Sequence, residues 1–341
     1  MTHLRITLLG FGNVGQALAR LLLRKRDQLQ RDYDLTYTVT GIATARHGVA
    51  IDSQGISVER ALQLVSTHST LDVLSKHSNI TDPIEFIRNS GADVLFENTP
   101  VNYIDGLPAV TYLRTALESG MHAITANKGP VVHAYQELTQ LAQAYGRKFY
   151  FESAVMDGAP IFSLFRQSLP AANLHGFSGI LNSTTNLILT RMAGGENFEQ
   201  ALAYAQSIGI AETDPSGDID GWDAAVKVAA LVTVLMGIPL KPAQVERTGI
   251  RHLSLDDVNQ ASERGRRWKL VCTARSKDGR VMARVNPELV GSDSPLYGVN
   301  GTSSIVTFET DVLAQLSIVE GNPGPETTAY GLLADFVNVT R

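Results

Sequence analysis

Ile6-Thr7-Leu8-Leu9-Gly10-Phe11-Gly12-Asn13-Val14-Gly15 is the stretch on which the fold turns. Ile6 to Leu9 is a short apolar run that reads as a buried strand. Gln16 to Lys25, just downstream, carries Ala17, Leu18, Leu21 and Leu22 on one helical stripe. The glycines between them each have a physical task. Gly10 permits the tight turn, Gly12 lets the backbone approach a pyrophosphate, and Gly15 lets helix and strand pack closely. The helix start then offers free N–H groups to the phosphates. The stretch therefore predicts a dinucleotide-binding turn at the first βα junction.

Working outward, Tyr37–Ala43, Asp93–Glu97, His122–Ala126 and Phe149–Phe151 read as further strands. Helical patterns lie between them around Leu107–Ser119 and Tyr135–Tyr145. This alternation predicts an α/β fold for residues 1–150: a Rossmann-type, doubly wound parallel sheet with helices on both faces. The rhythm then changes. Gly176–Leu181 reads as a strand, Phe198–Ile208 as an amphipathic helix, and Trp222–Met236 as a helix apolar nearly all round, hence buried. Segments 268–275, 281–285 and 303–308 alternate and suggest an antiparallel sheet. Residues 151–318 are thus expected to form a second, α+β domain. The helical tail from Thr328 to Val337, within a C-terminal segment 319–341, is expected to return to the nucleotide domain.

Composition narrows the function classes. Of 341 residues 44% are hydrophobic and 18% charged, enough apolar material for two cores. A formal net charge of −5 argues against a general nucleic-acid-binding surface. The basic cluster Arg24-Lys25-Arg26 reads as a solvated helix C-terminus. One cysteine, Cys272, allows neither an intrachain disulfide nor a cysteine-based zinc site. Met1-Thr2-His3-Leu4-Arg5 runs straight into a strand without a signal-peptide layout. Ala224–Met236 is too short to span a bilayer and is interrupted by Lys227. The expectation is a cytoplasmic protein without membrane partners.

Three cationic positions bear on chemistry. The second strand ends Gly41-Ile42-Ala43-Thr44-Ala45-Arg46, with no carboxylate to grip ribose hydroxyls. Arg46 there either pairs with a 2′-phosphate, favouring NADP over NAD, or is a surface loop residue. Lys128, in Thr125-Ala126-Asn127-Lys128-Gly129-Pro130, follows a strand whose end faces the ligand crevice, or else sits in a solvated loop. Lys227 lies in Trp222-Asp223-Ala224-Ala225-Val226-Lys227-Val228-Ala229-Ala230-Leu231. A buried ammonium needs a partner, and Asp223 is four residues earlier on the same face. Upstream, Glu212, Asp214, Asp218 and Asp220 crowd a Gly/Pro-rich loop. That loop is a solvated turn, a calcium loop that misses the EF-hand spacing, or a site for a substrate ammonium. Loop and lysine together favour the last.

At these residues the chain resembles the homoserine dehydrogenase family. The motifs are Gly10–Gly15, Ala126-Asn127-Lys128, Gly179-Ile180-Leu181-Asn182-Ser183-Thr184-Thr185-Asn186, and Glu212 through Asp223 to Lys227. The resemblance spans nearly the whole chain, which ends too early for the C-terminal ACT-type regulatory domain of longer members. It implies reversible reduction of aspartate 4-semialdehyde to homoserine with NADPH or NADH, on the route to threonine, isoleucine and methionine, by a homodimer in which residues 151–318 bind substrate, carry the catalytic groups and dimerise. Carried over by position, Lys227 is the proton donor with Asp223 its companion, Lys128 stands between cofactor and substrate, and Glu212 and Asp218 bind substrate. Thr184 and Thr185 floor the substrate site, and Phe11, Gly12, Asn13, Val14, Thr99 and Pro100 contact the nucleotide. A monovalent cation such as sodium is implied at Glu152, Val155, Asp157 and Ala159. Met156 and Asp157 depart there from the family's glycine and alanine, and Ser183 stands where many members have glycine.

Two competing readings remain at this point. A phosphorylating semialdehyde dehydrogenase would need Cys272 as nucleophile. A catalytically silent NADP-binding protein would need neither Lys227 nor the acid loop.

Overall fold

The computed structural model describes residues 1–77, 80–277 and 279–341, and the chain divides into two compact units. Residues 1–160 and 324–341 form one, and residues 161–323 the other.

The first unit contains β1 (Thr2–Leu9), α1 (Asn13–Tyr33), β2 (Leu35–Thr44), β3 (Gly48–Ile51), α2 (Val58–Ser66) and α3 (Pro83–Asn89). It continues with β4 (Val94–Glu97), α4 (Ala109–Glu118), β5 (His122–Thr125), α5 (Lys128–His133), α6 (Tyr135–Ala144) and β6 (Phe149–Tyr150). The strand order is β3-β2-β1-β4-β5-β6. β1 pairs in parallel with both β2 and β4, and β4 with β5. Leu9 stands level with Ala43 and with Glu97, and Glu97 with Thr125. The loops that begin at residues 10, 45, 98 and 126 therefore leave the sheet at one edge. The strand order reverses between β1 and β4, where open α/β sheets bind their ligands.

Two expectations need correction. The sheet is not wholly parallel, because β3 pairs antiparallel to β2. Only residues 45–47 separate the two strands, room for a hairpin but not for a helical crossover. Arg24-Lys25-Arg26 also does not end its helix. α1 continues to Tyr33, with Leu29 buried as a last apolar anchor, and closes on Asp34 at φ 53°.

The second unit comprises β7 (Leu174–Ile180), α7 (Ser183–Met192), α8 (Phe198–Ser207), the short α9 (Ser216–Ile219), α10 (Trp222–Leu235), β8 (Glu246–Arg247) and α11 (Leu255–Glu263). β9 (Arg266–Lys277), β10 (Arg280–Gly291), β11 (Ser304–Thr310) and β12 (Leu316–Glu320) complete it. Its sheet runs β12-β11-β7-β9-β10-β8, antiparallel except where β8 meets β10. α10 buries Ala224, Ala225, Val226 and every residue from Val228 to Thr233, as its near-continuous apolar sequence dictates.

The last helix, α12 (Pro325–Asn338), belongs to the first unit. Its Ala329, Leu332, Leu333 and Phe336 enter the same core as Ile6, Leu18 and Leu22. Phe336 meets Tyr37 and Phe96 edge-on, with ring centroids 6.3 and 5.7 Å apart. Among the described residues no helix is long and apolar enough to cross a membrane.

Candidate active site

The nucleotide side lies within the first unit. α1 begins at Gly12, which offers no side-chain cap, so its first N–H groups face outward without an internal acceptor. A Cβ at Gly10, where φ is +94°, would collide with the carbonyl of Asn98, and one at Gly15 with the carbonyl of Gly10. A Cβ at Gly12 would meet no atom within 4 Å. Gly10 and Gly15 are thus glycines for the fold, and Gly12 is a glycine for whatever occupies the space beside it. The side chains of Phe11 and Val14 pack into the core, leaving the loop backbone to meet a ligand.

A cleft of about 1090 Å³ opens here, lined among others by Gly10, Thr44, Arg46, Thr99, Pro100 and Tyr112. The Asn98 carboxamide is buried with neither its nitrogen nor its oxygen bonded among the described residues. An open cradle at Gly12, an uncapped helix start and an unpaired carboxamide suit a phosphate-bearing, polar-headed ligand. Arg46 is exposed in the β2–β3 turn, with no ion pair to its guanidinium among the described residues.

Beneath the cleft is a group that the sequence did not flag. Glu97, fully buried at the end of β4, accepts from the Thr99 amide at 2.8 Å, from the Thr99 hydroxyl, and from Thr125 Oγ1 at 2.6 Å. Burial pushes its carboxyl above the ordinary range, and these bonds oppose that shift. Thr125 Oγ1 takes the Asn127 amide, and Asn127 Oδ1 caps α5 through the Gly129 amide at 3.0 Å. Asn127 Nδ2 reaches the Thr99 carbonyl at 3.3 Å. This network ties the loop at Thr99 and Pro100 to the turn that sets Lys128 as the first residue of α5.

The segment that the resemblance assigns to a cation, Glu152 to Ala159, also carries a helix cap. Asp157 accepts from the Gly324 amide at 2.8 Å and from Thr327 Oγ1 at 2.9 Å, capping α12. Met156 and Asp157 both have positive φ, 53° and 47°. Glu152 and Val155 are buried, and the Glu152 amide donates to Asp335 at 2.7 Å. Asp157 is therefore a helix cap. No cluster of three or more acidic, histidine or cysteine side chains able to hold a metal occurs among the described residues.

The second unit holds the lysine and its carboxylates. Lys227 Nζ lies 2.9 Å from Asp223 Oδ2 and donates to the Leu181 carbonyl at 2.6 Å. The two side chains are 15% and 10% exposed, so the ammonium is withdrawn from bulk water without being sealed off. Those two contacts account for two of its three hydrogens. Asn182, the N-cap of α7, takes the Thr185 amide on Oδ1 at 2.8 Å. Its Nδ2 donates to Asp218 Oδ1 at 2.6 Å and to Asp223 Oδ2 at 3.0 Å. Thr184 Oγ1 donates to Asp218 Oδ2 at 2.9 Å. Burial, and then the charge of Asp223, push the Asp218 carboxyl upward, while the bonds from Asn182 and Thr184 and the charge of Lys227 hold it back. Gly221, at φ +78°, makes the turn that brings α9, carrying Asp218, against the start of α10.

The crowded acid loop is thereby sorted. Asp218 joins the lysine cluster, while Asp214 turns back on the Ser216 amide at 3.0 Å. Asp220 pairs with Arg251, with Oδ2 3.1 Å from Nη2. Glu212 is exposed, with no side-chain bond among the described residues. Thr185 is fully buried and its hydroxyl bonds back to Asn182 at 2.9 Å, so it supports the helix cap beneath the site.

Two further residues of this unit matter. Cys272 is fully buried on β9, and burial pushes its thiol up to about 12. It is no thiolate nucleophile, which removes the basis of the phosphorylating-dehydrogenase reading. Lys269, unremarked in the sequence, is 1% exposed. Its ammonium bonds Asn186 Oδ1 at 2.9 Å, Asn300 Oδ1 at 3.3 Å and the Val299 carbonyl, and burial lowers it to about 8. Alternation marked β9 as a strand but gave no sign that a lysine would point inward.

Comparison with known proteins meets this geometry from outside. Residues 160–337 match the homoserine dehydrogenase family model, and residues 10–152 the model of the homoserine dehydrogenase NAD-binding domain. An NAD(+)-dependent homoserine dehydrogenase of Pseudomonas canavaninivorans is 34% identical over 99% of this chain and 97% of its own. The homoserine dehydrogenase of Methanocaldococcus jannaschii is 35% identical over 98% of each. The crystal structure of a homoserine dehydrogenase from Thiobacillus denitrificans superposes with a TM-score of 0.85 at 30% identity, covering 100% of this chain and 74% of that one. A glycine loop shaped for a dinucleotide and a lysine held by carboxylates are what that reaction calls for, and the chain belongs to the homoserine dehydrogenase family.

Proposed function

We propose that Lys227 is the proton donor for the NAD(P)-dependent interconversion of L-aspartate 4-semialdehyde and L-homoserine, the activity of this family. The observation that carries the assignment is the half-withdrawn ammonium, fixed by Asp223 and the Leu181 carbonyl with one hydrogen left over. A bound nicotinamide supplies or accepts the hydride. As the aldehyde carbon gains hydride, its oxygen gains negative charge, and the remaining N–H of Lys227 stabilises that charge and delivers the proton. Asp223 holds the ammonium in place throughout, and the Leu181 carbonyl fixes its direction.

Asp218, which accepts from Asn182 and Thr184, is the acceptor proposed for the substrate ammonium. Glu212, exposed in the same loop, is proposed as a second substrate acid. Lys128 is assigned to the nicotinamide ribose, on the strength of its place beside Asn127 at the end of β5. NADP is the proposed cofactor, supported by the exposed Arg46 at the end of β2 and by the missing carboxylate there. The relative from Pseudomonas canavaninivorans is named as NAD(+)-dependent, so turnover must be measured with both cofactors.

The test is homoserine-dependent reduction of NADP and of NAD by wild type and by Lys227→Ala. The variant should lose about 10²–10⁴-fold in kcat, the usual worth of a positioned acid, while binding NADPH as tightly as wild type. Equal turnover by the two proteins would overturn the assignment.

A further inference from the structure

The Asn182 side chain bonds both carboxylates of the lysine cluster and the start of α7. Its two sides do different work. Oδ1 is pinned to the Thr185 amide at 2.8 Å and to the Thr185 hydroxyl at 2.9 Å, so the carboxamide plane is fixed by the start of α7. Nδ2 therefore points in a set direction and donates to Asp218 at 2.6 Å and Asp223 at 3.0 Å. The residue is 3% exposed, so its carboxamide is largely withdrawn from water. We propose that Asn182 is the positioning residue of this site. One amide nitrogen, bridging the two carboxylates, keeps both as acceptors and keeps each on its own partner.

The need for such a bridge follows from the charges. The groups facing Asp218 are Asp223 and Lys227 from α10, with Asn182 and Thr184 from α7. Two carboxylates close together in a buried site tend to share a proton between them. One ammonium offsets one of the two charges, and Lys227 already lies against Asp223. A protonated Asp218 would lose the charge needed for a substrate ammonium, and it could donate to Asp223 in competition with Lys227. Two N–H donors aimed at the gap favour the doubly ionised state, because an N–H bond to a carboxylate is stronger than one to the carbonyl of a protonated carboxyl. A hydroxyl in the place of Asn182 would donate to only one of them.

This inference rests on the reading of Lys227 as proton donor, and the experiment separates the two. Asn182→Asp retains an oxygen to cap α7 but loses both donors. Asn182→Ser is a second variant with a good capping residue and a single short donor. Folding is checked through NADPH affinity and thermal unfolding, and turnover of homoserine is followed from pH 6 to 10. Both variants should bind NADPH normally and lose about 100-fold in kcat/KM for homoserine, the scale of a misplaced reacting group. The acid limb of the kcat/KM profile should move upward by about one pH unit as Asp218 becomes easier to protonate. A structural role alone would lower activity equally at every pH, with the limb unmoved, and that result would overturn the proposal, as would wild-type kinetics in either variant. If Asn182→Asp does not fold, the same outcomes are read from Asn182→Ser. If neither folds, Asn182 is a residue of the fold and the proposal fails. Lys227→Ala is run alongside. Full activity in that variant refutes the reading of the lysine, whereas an inactive Lys227→Ala with an unmoved limb in the Asn182 variants refutes only the bridge.

Discussion

Gly12→Ala should leave the protein folded and impair its hold on the cofactor. The Gly12 backbone has φ −77°, which an alanine can adopt, and a Cβ there meets no atom of the chain within 4 Å. The change loses a little as a poorer N-cap and gains about 0.4–1 kcal/mol from a less flexible unfolded chain. The two roughly cancel, so the thermal midpoint should move by no more than a few degrees. The ligand side is different. The new methyl stands about 1.5 Å off the Cα, in the space where a phosphate oxygen must come within about 2.9 Å of the loop N–H groups. Losing two hydrogen bonds to a charged group, each worth about 1.5 kcal/mol at the low end, costs about 3 kcal/mol. That corresponds to a loss of somewhat more than 100-fold in affinity. Quenching of protein or NADPH fluorescence gives Kd, and calorimetry gives the midpoint. Gly10→Ala is the contrasting control, since its φ of +94° and the Asn98 carbonyl make it a folding defect. If Gly12→Ala binds NADPH with the wild-type Kd, the phosphates do not lie on this loop and the account of the cleft is wrong.

Two other outcomes follow from groups away from the reacting atoms. His122 Nδ1 accepts the Lys148 amide at 3.0 Å, and burial, helped by Arg147 and Lys148, lowers the imidazole to about 4. The unfolded chain takes up this proton near pH 6.5 and the native state only near 4, so stability falls as pH drops through that window. Urea unfolding at pH 7, 5.5 and 4 should show a shallower decline for His122→Asn, which keeps an acceptor; identical slopes would exclude the histidine as the source. Asp157→Ala removes the cap on α12 and should cost about 1–2 kcal/mol, the worth of a good N-cap. Calorimetry should find a lower midpoint, and an unchanged one would mean that α12 is held by packing alone.

The glycine loop was legible because its constraints are local. A strand, a tight turn and a helix start follow each other within a few residues; Gly10 and Gly15 each answer a nearby carbonyl, and Gly12 leaves open space. The Asp223–Lys227 pair was legible for the same reason, since four residues along a helix is a fixed distance. Long-range consequences were harder to read. That Asp157 would meet Gly324, or that Glu97 would bind Thr125, depends on where strands and helices end in space. The course of α1 beyond Arg26 was hidden by its polar composition, because one buried residue, Leu29, suffices to continue a helix whose other faces are solvated. Lys269 was missed because alternation says which side a residue faces, and a lysine facing inward breaks the rule that makes alternation readable. Within the acid loop composition alone offered four carboxylates, the family resemblance singled out Glu212 and Asp218, and the fold shows Asp214 and Asp220 bonded elsewhere while Asp218 meets Asn182.

The seat of α12 in the nucleotide unit has a consequence for how the chain is made. Phe336 fills a socket between Tyr37 and Phe96, yet it leaves the ribosome some three hundred residues after Tyr37. Until then the half-built nucleotide fold carries an unfilled apolar groove along α1, the kind of surface that chaperones and stray copies bind. A fragment cut at residue 160 would keep that groove permanently. Whoever wishes to study this nucleotide domain in isolation must splice the last eighteen residues back onto it.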